Sequence, residues 1–175
     1  MPGVKPKVKP VKLICAALFF PTADLDSAVA DLENLFGKID HKSPIYDFTF
    51  TDYYNDEMGK GLKKFFLSFE NLIMPDQLAD IKNSTNKIEA KYSAEGKRTV
   101  NLDPGYLEES KLILASTKNF SHRIYLKDGI WAELTLSYAS GKFVTHPWSY
   151  PDYQTELVYD FLRKVRDIYI SQLKK

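Results

Sequence analysis

Three polar stretches of the chain hold the residue types that do chemistry. Asp52, Tyr53, Tyr54 and Glu57 lie in "DYYNDEMGKG", Asn101, Asp103 and Tyr106 in "NLDPGYL", and Lys118, His122 and Arg123 in "TKNFSHR". Carboxylates such as Asp52, Glu57 and Asp103 serve as general bases or as ligands for a hard cation. Tyr106 and His122 complete the candidate catalytic set as further proton-transfer groups. Lys118 and Arg123 suit a phosphate or a carboxylate, and with Tyr53, Tyr54 and Asn101 they make up the candidate ligand-binding set. Each residue also has a plainer use. Asp103 precedes the turn pair Pro104-Gly105, Arg123 can pair with Glu133, His122 sits among apolar neighbours as core histidines do, and tyrosine-rich loops cover cores. The chemical reading holds only if the three stretches meet in one pocket.

Sharper signatures are absent. "KYSAEGKRT" has Gly96-Lys97, but Lys91 stands at the first glycine position of a phosphate loop and Arg98 replaces the hydroxyl residue. "TNKIE" echoes a guanine-reading motif but falls inside a helical pattern, with Ile88 facing inward. His41, His122 and His146 are too widely spaced to define a metal site, so no metal or cofactor is assigned. The single cysteine, Cys15, rules out an intrachain disulfide, and its apolar neighbours make it a core thiol.

The elements that must position these residues follow from hydrophobic period. "VKLICAALFF" reads as a strand buried on both faces. "TADLDSAVADLENLFG" places Leu25, Val29, Leu32 and Phe36 on one helical stripe, with Asp24 as cap and Gly37 as stop. "PIYDFTFT" and "LKKFFLSFENLI" alternate as strands. "PDQLADIKNSTNKIEAKYS" is a helix with Leu78, Ile81, Thr85, Ile88 and Tyr92 inward, and "KRTVNL" is a short strand ended by Pro104-Gly105. Strand, helix, strand, strand, helix, strand is the ferredoxin-like order.

Beyond it, "FSHRIYLKDGIWAELTLSY" reads as a hairpin around Lys127-Asp128-Gly129. In that register Leu126 faces Ile130, Ile124 faces Ala132 and His122 faces Leu134. Tyr125 then pairs with Trp131, and Arg123 with Glu133. A third strand follows to about Thr145, and "TELVYDFLRKVRDIYISQL" is a long closing helix. The expected fold is therefore α+β: a ferredoxin-like βαββαβ core over 11–105, then an antiparallel meander and C-terminal helix over 106–175, together one domain behind a flexible basic tail, 1–10.

Bulk properties narrow the function classes. The 175 residues carry 24 basic and 23 acidic side chains, a net charge of +1, so no overall field draws the chain to nucleic acid or membrane. The basic residues of "MPGVKPKVKPVK" are the exception, and read as a solvated tail. No apolar run reaches membrane-spanning length and none resembles a secretory signal, so a cytoplasmic protein is expected.

"YDFTFTDYYNDEMG", "LDPGYL", "KLILASTKNFSHRIYLKDGIWAELTL" and "PWSYPDYQ" together resemble the bacterial and archaeal domain-of-unknown-function family 4416, over nearly the whole chain from Val11 onward. The resemblance implies no activity. Some members carry the label GTP-binding protein, and the family's characteristic Asp and Tyr correspond to Asp103 and Tyr106 or to Asp52 and Tyr53. The expectation is a protein that binds a small anionic ligand, with a nucleotide as one candidate, in a polar pocket; no enzyme class and no oligomeric state are assigned. An RNA-binding module and a protein-interaction scaffold are the alternatives from other classes.

Overall fold

Val11–Phe19 (β1) is apolar at nearly every position, and the fold uses both of its faces. In the computed structural model, which describes Gly3 and residues 7–175, Leu13, Cys15, Ala17 and Phe19 point to one side and Ile14 and Ala16 to the other. The expected tail over residues 1–10 lies in part outside the described residues. The helices Leu25–Phe36 (α1) and Leu78–Lys91 (α3) cover the first face through Ala28, Leu32, Ile81 and Ile88. Glu156–Leu173 (α4) covers the second through Val158, Phe161, Leu162 and Val165. Burial on both faces pushes the Cys15 thiol far above its ordinary pKa, which leaves it inert.

The helix ends follow the local chemistry. Asp24 accepts a hydrogen bond from Ser27 N at 3.2 Å, and Gly37 closes α1 with a positive φ. Thr155 accepts from Val158 N at 3.4 Å to open α4.

The second strand differs from expectation. A strand at Ile39–Lys42 (β2) takes the edge of Lys63–Ile73 (β4), and only Tyr46–Asp47 (β3) of "PIYDFTFT" pairs with it. Pro44 lacks the N–H for a continuous ladder. Ser43 bridges the break, its N–H bonding to Phe66 O and its hydroxyl accepting from Phe66 N, both at 2.9 Å. After Asp47 the chain leaves the sheet, so Phe48 and Phe50 belong to a loop leading into Asn55–Met58 (α2).

Following α3, a small hairpin of Ser93–Ala94 (β5) and Lys97–Arg98 (β6) leads into Val100–Leu107 (β7). Pro104-Gly105 is not a turn. Both residues lie inside β7, paired with Cys15 and Ile14 of β1. Lys111–Ser116 (β8), a strand the periodicity did not reveal, turns back along β7.

Arg123–Lys127 (β9), Ile130–Ala139 (β10) and Lys142–Thr145 (β11) complete an open antiparallel sheet in the order β11-β10-β8-β7-β1-β4-β2. β8 runs along one edge of β10, while β9 and β11 share the other. The expected pairs Tyr125–Trp131, Ile124–Ala132 and Arg123–Glu133 are all present. The turn itself is tighter than expected. Asp128 and Gly129 both take positive φ, Lys127 pairs with Ile130, and Leu126 becomes the extra residue of a bulge that restores the register. The fold is thus α+β, with an open antiparallel sheet and a C-terminal helix. No helix among the described residues is long and apolar enough to cross a membrane.

Candidate functional site

The sheet splits between β7 and β8. Their ladder has three rungs, Leu107–Leu112, Tyr106–Ile113 and Gly105–Leu114; beyond Gly105, β7 follows β1 while β8 follows β10. Backbone groups alternate sides along a strand, so residues 102, 104 and 106 face β8. Pro104 has no N–H to offer the next rung. The peptide groups of Leu102 are satisfied instead from α3, its N–H bonding to Glu89 Oε1 at 2.6 Å and its carbonyl accepting from Lys82 Nζ at 2.8 Å. Two buried charged side chains thus seal an open edge in mid-sheet.

The split opens into a cavity of about 590 Å³. α3 floors it with Lys82 and Asn86, the diverging strands supply Asn101, Asp103, Leu114 and Ser116, and the loop after β3 walls it with Phe48, Phe50, Tyr53 and Tyr54. Tyr150, Asp152 and Tyr153, in the segment before α4, complete the lining.

Polar groups along the floor form a chain. Arg98 grips Glu57 with Nε and Nη2 at 2.5 and 2.8 Å, and its Nη1 reaches Glu89 Oε2 at 3.0 Å and Asn101 Oδ1 at 2.8 Å. Asn101 Nδ2 in turn donates to Asp103 Oδ2 at 2.8 Å, and Lys82 Nζ lies 3.1 Å from Asp103 Oδ1. Burial raises the Asp103 pKa, but Lys82 and Lys64, with hydrogen bonds from Lys82 and Asn101, outweigh it and hold the carboxyl below the ordinary 3.8. The sign follows. An acid with a depressed folded pKa stabilises the fold above its unfolded value and loses that contribution as pH falls through the folded one. Carbon-detected NMR of the Asp103 carboxyl is therefore expected to show an ionised group down to about pH 4; a midpoint above that would contradict the ion-pair geometry.

Also on the lining, Lys64 Nζ bonds to Asp152 Oδ2 at 2.7 Å and lies 5.0–5.4 Å from the ring centres of Phe48, Phe66 and Tyr153. Arg123 is pinned three ways: Nε to Glu133 Oε1 at 3.3 Å, Nη1 to Lys118 O at 2.9 Å and Nη2 to Tyr150 Oη at 3.0 Å. Burial and the charge of Glu133, partly offset by Arg123, push the Tyr150 phenol up to about 12, and burial raises Tyr54 as well. Both remain protonated donors at neutral pH. Lys118 differs from every other cation in the cavity. Its side chain is exposed, its ammonium sits 4.2 Å from the Tyr53 ring centre, and it has no carboxylate partner among the described residues.

Of the residues expected from sequence, Tyr53, Tyr54, Asn101, Asp103, Lys118 and Arg123 line this cavity. Four others do not. Asp52 is exposed at the start of α2, where it accepts from Asn55 Nδ2 at 2.7 Å. Glu57 is bound up with Arg98. Tyr106 packs on the α3 side against the cluster of Ile113 and Ala115.

His122 lies behind the wall, with Nε2 2.6 Å from Glu133 Oε1 and its ring stacked on Trp148. The expected His122–Leu134 facing pair fails because the chain turns before Arg123, whose N–H bonds to Phe120 O, and the strand alternation does not reach back to residue 122. Sequence reasoning missed Lys64, Lys82, Arg98 and Asp152. Lys82 and Glu89 did leave a signal, standing on the inward stripe of their helix beside Leu78, Ile81, Thr85 and Ile88.

With this geometry in view, the family described as Domain of unknown function (DUF4416) matches residues 9–169. The chain belongs to that family. No curated protein and no solved structure matches it, so the family brings no substrate with it and the cavity must be read from its own residues.

Proposed function

We infer that the protein binds a small anionic ligand that also carries an apolar or planar part. The observation that carries this reading is the convergence of three distant segments on one cavity in which a single exposed ammonium, Lys118, stands unpaired beside a wall of aromatic rings. At about 590 Å³ the space suits a ligand of metabolite size. Apolar walls with a few placed polar groups are the usual make-up of such sites. Asp103 and the Tyr54 and Tyr150 hydroxyls offer one acceptor and two donors for orientation.

We read the β7-β1-β4-β2 half of the sheet as a ferredoxin-like unit, on its strand order and antiparallel pairing. The RNA-binding alternative relies on an open sheet face for base stacking, whereas here helices lie on both faces.

A panel of nucleotides and anionic metabolites, screened by thermal shift at saturating concentration, tests the reading. A cognate ligand at a hundred times its Kd stabilises by about 2.7 kcal/mol, which raises the Tm of a chain this size by roughly 5–10 °C. Lys118→Ala is expected to shrink that shift. Silence across the panel, or a shift indifferent to Lys118→Ala, would sink the reading.

A further inference from the structure

We propose that the cavity takes a planar ring bearing N–H donors with one anionic group attached, as in a nucleoside monophosphate, in preference to a di- or triphosphate. This rests on the anion-binding reading above and narrows it to a ligand class.

The argument is a count of which charges are already committed. Lys64 is held by Asp152 at 2.7 Å, Lys82 by Asp103 at 3.1 Å, Arg98 by Glu57 and Glu89 at 2.5–3.0 Å, and Arg123 by Glu133 at 3.3 Å. A polyphosphate entering here would meet ammonium and guanidinium groups whose charge carboxylates already balance. It would also bring its own charges close to Asp103, Asp152 and Glu133. Among the described residues that line the cavity, Lys118 alone is a cation without a carboxylate partner, which matches one anionic group. The Ser116 and Thr117 hydroxyls lie beside it in sequence and line the same cavity.

Beside Lys118 the lining changes character. Phe48, Phe50, Tyr53 and Tyr54 make a nearly continuous aromatic wall, with ring centres 5.0–6.2 Å apart from neighbour to neighbour. Such a wall favours a flat, polarisable ring by stacking. Asp103 is one-third exposed to this space and is kept ionised by Lys82 and Lys64, so it accepts hydrogen bonds and cannot donate them. A ring that presents N–H groups satisfies it; a ring with acceptors alone does not.

Titration calorimetry of the full chain against a ladder for each common base tests this: the nucleoside, then its 5′-mono-, di- and triphosphate. The monophosphate is expected to bind on the order of tenfold to a hundredfold tighter than the nucleoside, the worth of one charge-assisted contact. The di- and triphosphates should bind no tighter than the monophosphate. Lys118→Met should erase the advantage of the monophosphate over the nucleoside, while Lys118→Arg should retain most of it. A triphosphate that binds tenfold tighter than the monophosphate, or a Lys118→Met protein that keeps the monophosphate advantage, overturns the single-anion assignment but leaves anion binding standing. A ladder that fails while another anionic metabolite binds overturns the nucleotide-like class alone. Failure of both the ladder and the metabolite panel overturns this inference and the anion-binding reading together.

Discussion

Asp152→Ala is expected to destabilise the fold by about 3–5 kcal/mol, because it leaves a buried ammonium without its counter-charge. Asp152 is 2% exposed, and its Oδ2 accepts both from Lys64 Nζ at 2.7 Å and from Tyr46 Oη at 2.9 Å. Lys64 is 7% exposed, and its ammonium lies 5.0 Å from the Phe48 ring centre. The three rings around it soften the loss, since each cation–π contact contributes about 0.5–2 kcal/mol, but none offers a full negative charge.

The double change Lys64→Met with Asp152→Leu removes both charges and is expected to cost far less than the single one, as replacing a buried pair by apolar groups often does. Urea unfolding followed by tyrosine and tryptophan emission measures both. A single-variant loss below about 1 kcal/mol would mean that the pair is exposed to solvent and carries little. Should Asp152→Ala fail to fold, Asp152→Asn keeps an acceptor for Tyr46 and is expected to lose less.

Lys64 also shows where a sequence stops being informative. The three long helices were legible because an apolar residue recurs every three or four positions, helped at α1 by the Asp24 cap. The β9–β10 hairpin was legible because its matched pairs, Tyr125 with Trp131 and Arg123 with Glu133, are local. The ion pairs that shape the cavity are not local. Lys64 meets Asp152 88 residues away, and Arg98 meets Glu57 41 residues away.

A lysine in a strand looks solvated until the opposite layer is known. β8 was missed because "KLILAS" is apolar on both faces, Leu112 and Leu114 entering one core cluster and Ile113 and Ala115 another, so a run this short shows no alternation. Phe48 and Phe50 kept strand alternation but lost the strand, because β4 begins at Lys63, the partner of Asp47, and has no residue left to pair with them. Six of the ten expected site residues reach the cavity all the same, since polar side chains on connections gather where a sheet opens.

Gly105 sits at the apex of that opening, and Gly105→Ala is expected to be nearly as damaging as the loss of Asp152. Read from sequence, Pro104-Gly105 is a turn; in the fold it is the last point at which β7 and β8 touch. A Cβ on residue 105 would press into the Ile113 carbonyl oxygen and lie 2.6 Å from Leu114 Cδ2. The first contact is with backbone of a strand fixed on its other side by β10, so it cannot move aside as a flexible side chain would.

Overpacking of this kind costs about 1–3 kcal/mol or more, and a loss of about 1–3 kcal/mol corresponds to a fall in Tm of roughly 2–12 °C. The consequence for function has a direction. Forcing the two strands apart at their last rung widens the cleft between Asp103 on β7 and the Ser116–Lys118 end of β8, so a ligand spanning both should bind more weakly even after the protein is cooled well below its lowered Tm. Calorimetry at low temperature separates the two effects. Affinity unchanged from the parent chain, together with an unchanged Tm, would show that β8 can yield at Leu114 and that the glycine is not what holds the split at its present width.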